Sequence, residues 1–495
     1  MNNQSHVLTV KEKLGYSLGD LAANLVFQTL VTFIAYYYTD VYQLKASTAQ
    51  WVIGTCGIIG GVLFAPLMGV IADRTRTRWG RYRPWILWTS VPFGVLVLLT
   101  FTTPDVSYNA KVTYAFVTYL LLMLLYSANN LPYASLSGVL TGNMSERNSL
   151  SSYRFVAVMA AQFIVQVLLL PMVLVLGKGD QALGFERIMT IFAVVGVIFF
   201  LITFFTTRER VIEHQTSNNT LKDDFTDLIN NGPWRVMLVV TVLLFTHLSL
   251  RGGTLVYYFE YYASANELGS FLDKIGFNSL IASIQSVWPN FKWPEQVHAS
   301  AFGLFNGAGI ICMIIGIGLS RRFADRFGKR NVFGTALFIS TLFILVFAII
   351  PREAVGMMFL SQILHGLFYG LTIPLLWAMI ADVADYSEWK NHRRATAIIF
   401  SAMILGLKLG LTIGGTLVVT FLAAYGYDGS AAEQTARSVQ GIKLTMSVFA
   451  SIPFFLAVAL LFFYPINKAM EMRLERELGE RRRITPGIAP DEALT

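Results

Sequence analysis

Several resources of soluble proteins are scarce in this chain. Only two cysteines occur in 495 residues, Cys56 and Cys312, far apart and both within apolar runs. That argues against a disulfide framework and against a metal site. Charge is thin as well: Asp, Glu, Lys and Arg make up 14% of the chain, where a soluble domain carries about 25%. No Gly-rich phosphate loop, metal-ligand spacing or Ser–His–Asp arrangement can be placed, so no enzyme activity and no cofactor are expected. The opening stretch is polar up to Leu14 and shows no short apolar core followed by a small-residue cleavage site. A cleaved signal peptide is not expected.

What is present is apolar surface. Hydrophobic residues make up 55% of the chain, with 37 Phe and 21 Tyr. Runs near 20 apolar residues are long enough to cross a bilayer as helices. Twelve can be drawn, at 18–38, 51–72, 85–102, 112–131, 153–175, 188–206, 234–257, 298–319, 332–350, 356–376, 397–422 and 442–463. The expected fold is therefore an all-α membrane protein of twelve transmembrane helices.

The net charge of +8 sits mainly in loops, where it reads as an orientation signal and not as nucleic-acid affinity. Arg74, Arg76, Arg78, Arg81 and Arg83 follow span 2; Arg321, Arg322, Arg326, Lys329 and Arg330 follow span 8. Loops on the other face hold one or two basic residues each. By the positive-inside bias, both termini and the segment 207–233 face the cytoplasm. Ala-Asp-Arg occurs in both basic loops, at Ala72–Asp73–Arg74 and Ala324–Asp325–Arg326, about half the chain apart. This supports two six-helix halves, 1–206 and 234–465, joined by a linker at 207–233 and followed by a tail at 466–495. An external insert, 261–297, contains a possible amphipathic helix at 279–288, read as interfacial or as a cap over the outer entrance.

Polar residues inside apolar runs are candidates for function. Asp20, Asn24 and Gln28 recur every four residues on span 1 and share a face. Asp20 is either functional or a residue of the helix mouth. Asn129 and Asn130 precede Pro132 on span 4; amide glue between helices and a ligand site at an irregular turn are both open. Arg154, Gln162 and Gln166 share a face of span 5, with surface snorkelling an alternative for Arg154. His247 and Arg251 lie on span 7, and His365 on span 10 reads as a core hydrogen-bonding residue. Lys408 is about thirteen residues into span 11, too deep to snorkel, and needs a carboxylate, a ligand oxygen or water.

Seven longer motifs then appear in order: GYSLGDLAANL from Gly15, YYYTDVYQL from Tyr36, PLMGVIADRTRTRWGRYRPWIL from Pro66, NNLPYASL from Asn129, SLSSYRF from Ser149, ADVADYSEWKNHRR from Ala381 and the Lys408 segment. On these the chain resembles the glycoside–pentoside–hexuronide:cation symporter family, the melibiose-carrier-like branch of the major facilitator superfamily. The resemblance runs from Lys13 to about Pro465. It implies a sugar cavity between two rocking halves, in the cell (inner) membrane, acting on a small-molecule sugar and working as a monomer. Carried over residue by residue, it implies substrate contacts from Asn24, Tyr126, Asn130, Arg154, Arg251, Trp377 and Lys408. Coupling falls to Asp20, and gating to Asp73, Arg74, Arg78, Arg81 and Asp385.

One departure bears on the coupling ion. Sodium-coupled members carry two acids four apart on span 2 where this chain has Gly61 and Ala65, and an acid on span 4 where it has Asn130. Sodium requires several oxygen ligands, so the expected coupling cation is H+. An uncoupled sugar facilitator and a lipid or lysolipid carrier on the same fold are the alternatives. Loss of those acids also leaves Arg154, Arg251 and Lys408 in excess, which suits either an anionic or a neutral sugar.

Overall fold

The computed structural model describes residues 7–141, 144–210, 231–288, 291–391, 396–431 and 433–484. Within them lie twelve helices long and apolar enough to span a membrane: Val10–Val41, Ala46–Ala72, Arg83–Thr100, Tyr108–Leu140, Ser149–Gly177, Gln181–Thr206, Gly232–Tyr262, Val297–Phe327, Lys329–Ala348, Val355–Lys390, Ala402–Ala424 and Ala436–Phe463. Hereafter these are spans 1 to 12. Hydrocarbon offers no hydrogen bonds to the backbone, so each apolar run closes its N–H and C=O groups internally as helix. The helix starts are written locally. Thr9 and Glu12 cap span 1 reciprocally, Thr9 N donating to Glu12 Oε2 at 3.0 Å and Glu12 N to Thr9 Oγ1 at 3.3 Å. Asp180 and Asn231 cap spans 6 and 7 through Leu183 N (3.2 Å) and Trp234 N (3.1 Å).

Several spans outrun the apolar stretches that announced them. Span 4 continues to Leu140 and span 10 to Lys390, because polar residues continue a helix freely once it leaves the hydrocarbon or lines a cavity. Pro132 does not break span 4, contrary to expectation; Tyr108–Leu140 is one continuous helix. The irregular turns lie elsewhere, as wide π-type turns at Tyr37–Val41, Gly57–Leu63, Ile164–Leu168, Tyr258–Tyr262 and Thr445–Phe449. Such turns free backbone groups and cluster at functional surfaces.

Span 1 packs on spans 5 and 6, span 3 on 4 and 6, and span 2 on 4. The same pairings recur in the second set, with span 7 on 11 and 12, span 9 on 10 and 12, and span 8 on 10. Across the two sets, span 1 meets span 7, span 2 meets 11, and span 5 meets 8. Glycines permit the closest of these crossings. A Cβ on Gly57 of span 2 would sit 2.7 Å from Thr412 Cγ2, and one on Gly303 of span 8 would sit 2.4 Å from the Val167 carbonyl oxygen.

The insert folds as two short helices, Ala265–Lys274 and Phe277–Val287. The first buries Leu268 and Leu272, while the second buries nothing and leaves Leu280 and Val287 exposed. This matches the amphipathic helix expected at 279–288, begun two residues earlier. Of the expected linker, 211–230 lie outside the described residues, as do 485–495 of the tail and the side chain of Asp73. The described tail helix, Lys468–Ile484, docks on span 10 through Trp389 Nε1 donating to Glu477 Oε2 at 2.6 Å.

Candidate functional site

Two cavities lie between the sets of spans, separated by the contact of spans 1 and 7. The first encloses about 320 Å³ and takes its lining from spans 1, 2, 4, 5, 7 and 11. Asp20, Asn24, Tyr126, Asn130, Arg154 and Lys408 all border it. Six of the residues expected at a substrate or coupling site are thus brought together from four helices.

The geometry at its base is an ion pair held in an aromatic frame. Arg154 Nε lies 2.5 Å from Asp20 Oδ2. Asp20 is therefore eleven residues into its helix, buried and paired, and is not a residue of the helix mouth. Tyr16 and Tyr133 stack at 4.5 Å and lock each other, each phenol donating to the other's carbonyl at 2.7 and 2.6 Å. The guanidinium of Arg154 lies 5.6 and 5.8 Å from their ring centroids, a cation–π arrangement that aims it inward instead of toward a surface. Tyr126 stacks on Phe27 at 5.8 Å, presenting an aromatic wall. Across the cavity, Lys408 Nζ is 3.4 Å from Ser127 Oγ and forms no ion pair among the described residues. Ser127 was not singled out in the sequence, since a serine in an apolar helix carries no charge signal; its own Oγ donates to Gly60 O at 2.8 Å.

The expected asparagine pair divides. Asn130 faces the cavity, whereas Asn129 is buried and donates to Thr89 Oγ1 of span 3 at 2.8 Å, the interhelical glue. Gly61 lies on the wide turn of span 2 and borders the cavity, while Ala65, one turn on, is buried.

The second cavity, about 210 Å³, lies between spans 1 and 5 on one side and 7, 8 and 10 on the other. Arg251 belongs here and not to the first cavity, together with Gln28, Gln162 and Gln166. Trp377 reaches neither. It is 37% exposed, stacks on Phe400 at 6.5 Å and borders a void of about 50 Å³. His365 shares a hydrogen bond with Ser340 Oγ at 2.8 Å, the core role expected of it.

Of the residues expected to gate, Arg74, Arg78, Arg81 and Asp385 have described side chains. Arg74 and Arg78 are exposed, with Arg78 over the Trp79 ring at 4.6 Å. Arg81 contributes its backbone N–H to the Glu209 carboxylate at 2.8 Å, joined there by Tyr82 N and Arg83 N at 2.7 and 3.0 Å. Asp385 lies one turn from Asp382, which pairs with Lys329 Nζ at 2.6 Å. At the opposite end of the molecule lies a junction absent from the expected site. Asp40 at the end of span 1 accepts hydrogen bonds from Tyr261 (2.6 Å) and from Tyr427, both contributed by the second set of spans. Thr39 and Tyr257 share another at 2.7 Å.

Twelve spans in two matching sets of six, with cavities between them that carry charged and amide side chains, define a carrier of the major facilitator type. The solved nucleoside transporter NupG has the same fold, with a TM-score of 0.57 at 16% identity, over 92% of this chain and 99% of that one. The profile of the MFS/sugar transport protein family matches residues 15–293 and 296–468, and the chain belongs to that family. A putative glycoside/cation symporter of Escherichia coli (strain K12), YagG, is 32% identical over 489 residues, 98% of each chain. The isoprimeverose transporter of Lactiplantibacillus pentosus is 30% identical, over 97% of this chain and 94% of that one.

Proposed function

We propose that this protein is a secondary active sugar transporter that carries its substrate in the first cavity by alternating access, coupled to protons through Asp20. The observation that carries the reading is the Asp20–Arg154 pair at 2.5 Å, set in a cavity that also holds Asn24, Asn130, Tyr126 and Lys408. Amides and an ammonium suit sugar hydroxyls, and an aromatic wall suits a pyranose face. Protonating Asp20 neutralises one side of the pair and releases Arg154 to the substrate, so that ion and sugar occupy the site together. Movement follows from rocking 1–206 against 234–465. The named relatives, a glycoside/cation symporter and an isoprimeverose transporter, support the substrate class. The two arginine-rich loops support a cytoplasmic placement of both termini, and the carrier acts as a monomer.

The test is uptake by the purified protein in proteoliposomes, with a panel of glycosides that includes isoprimeverose. An inward proton gradient should drive accumulation without sodium. Asp20→Asn should abolish accumulation while retaining exchange, and Lys408→Ala should lower uptake more than tenfold. Accumulation driven by sodium in proton-clamped vesicles, or wild-type uptake by Lys408→Ala, would overturn these assignments. Accumulation-free equilibration by the wild type would make it a facilitator.

A further inference from the structure

We infer that a groove between spans 9 and 12, at the basic-loop end of the molecule, binds one anionic phospholipid from the surrounding leaflet. The groove encloses about 400 Å³, more than either cavity between the two sets of spans. Its wall changes character along its length. Arg330 and Asn331 stand at one end, in the first turn of span 9. Phe338, further along the same helix, lies about 12 Å deeper at 1.5 Å per residue. Val458 and Leu461 of span 12 complete the apolar wall, and Phe462, which closes that helix, is 83% exposed. A charged mouth at the membrane surface, with an apolar length running into the bilayer, is the outline of a lipid. The sequence keeps this space open at Gly334, where a Cβ would already sit 3.4 Å from Leu461 Cδ1.

The charge at the mouth points to an anionic headgroup. No acidic side chain lines the groove. The neighbouring lysines are engaged: Lys329 pairs with Asp382 at 2.6 Å, and Lys468 donates to Asp325 O and Arg326 O at 2.8 and 3.0 Å. Arg330 donates from Nη1 to Tyr464 O at 2.9 Å and forms no ion pair among the described residues. That bond holds the guanidinium across the gap between the two helices and leaves its other N–H groups for a phosphate. Thr341 of span 9 returns its hydroxyl to Leu337 O at 2.6 Å, whereas the Thr335 hydroxyl, on the groove wall, makes no hydrogen bond among the described residues. It is a second donor, one turn on from Asn331. Span 9 also starts at Gly328 without a side-chain cap, so its leading N–H groups add to the positive field. Basic pockets between membrane helices hold anionic headgroups in this way. The surface pocket of the insert is a useful contrast: Ser283, Ile284, Val287 and Trp288 form it, and with no charge it has nothing to select a headgroup.

This site is independent of what the carrier moves. Native mass spectrometry of the full-length protein, titrated with phosphatidylglycerol or phosphatidylcholine of identical acyl chains, counts bound lipids and gives their apparent Kd. The first phosphatidylglycerol should bind about fivefold tighter than the first phosphatidylcholine, the ratio expected of one partly exposed ion pair. Arg330→Gln should bring that ratio near one. Gly334→Leu, which fills the groove and leaves the arginine in place, should weaken the first site for both lipids, and it decides the matter if Arg330→Gln fails to fold. Arg76→Gln removes the same charge from an exposed position in the basic loop of the first set and should leave the ratio unchanged. Equal first-site binding of the two lipids by the wild type would overturn the site. So would a ratio preserved in folded Arg330→Gln or undiminished binding by Gly334→Leu. An equal loss in Arg76→Gln would overturn it too, by assigning the preference to the general charge of that end.

Discussion

Among the described residues, the two ends of this molecule hold themselves together differently. At the end away from the basic loops, hydrogen bonds run from one six-span set to the other: Asp40 with Tyr261 and Tyr427, Thr39 with Tyr257. At the basic end, the ion pairs between described residues stay within a set. Lys13 pairs with Glu146 and Lys329 with Asp382, while Arg210, at the start of the linker, ties back to Glu12 of the first set. Bonds that cross the divide favour one conformation over another, whereas bonds within a set move with it and stabilise both conformations alike. Among the described residues, the far-end bonds thus act as a clasp and the basic-end pairs as bracing.

That contrast can be broken in graded steps. Asp40→Ala should have the largest effect, because it removes the acceptor of two crossing bonds. Bonds to a charged group contribute about 1.5–3 kcal/mol each. The equilibrium should therefore move by about 3 kcal/mol toward a form open at the far end, a factor on the order of 10². Spin-label distances across that end would report it, and unchanged distances would dispose of the clasp. Lys329→Met should act on stability instead. Its partner Asp382 keeps 15% side-chain exposure, so the loss should be about 1–2 kcal/mol after allowing for solvent. Thermal unfolding should show it while the spin-label distances stay unchanged. The smallest effect belongs to Arg74→Gln, an exposed side chain that should change stability by under about 0.5 kcal/mol. A fall in its transport rate without a fall in stability would place its partner in the alternate conformation.

The readable part of the site was the part that hydrocarbon penalises. Asp20, Arg154 and Lys408 announce themselves because charge inside an apolar run is rare and expensive, and they do meet at one cavity. Asn24 and Asn130 followed from the same reasoning. Asp40 escaped notice because it sits where an apolar run ends and an acid costs little. The available signal was the likeness of YYYTDV at the end of span 1 to YYFEYY at the end of span 7. These are matching positions in the two sets, and both turn into wide helical turns. Gln362 and Ser127 carry no signal without their partners, Arg251 and Lys408. Trp377 was placed by family resemblance alone, and its aromatic stacking proved to lie elsewhere. Pro132 misled for another reason: span 4 absorbs the missing backbone donor without breaking, and the irregular backbone falls on the glycines of span 2.

The glycine crossings set unequal limits on how this sequence can drift. Along span 8, a methyl group at Gly303 collides with the Val167 carbonyl, whereas one at Gly318 meets nothing within 4 Å. Two identical residues on one helix are thus under opposite pressures. The first is pinned by a neighbouring backbone that cannot be mutated away, because every amino acid at 167 would present the same oxygen. A compensating change would have to come from the tilt of span 5, so substitutions at 303 become tolerable only together with a rearranged helix contact, while 318 is free to vary alone.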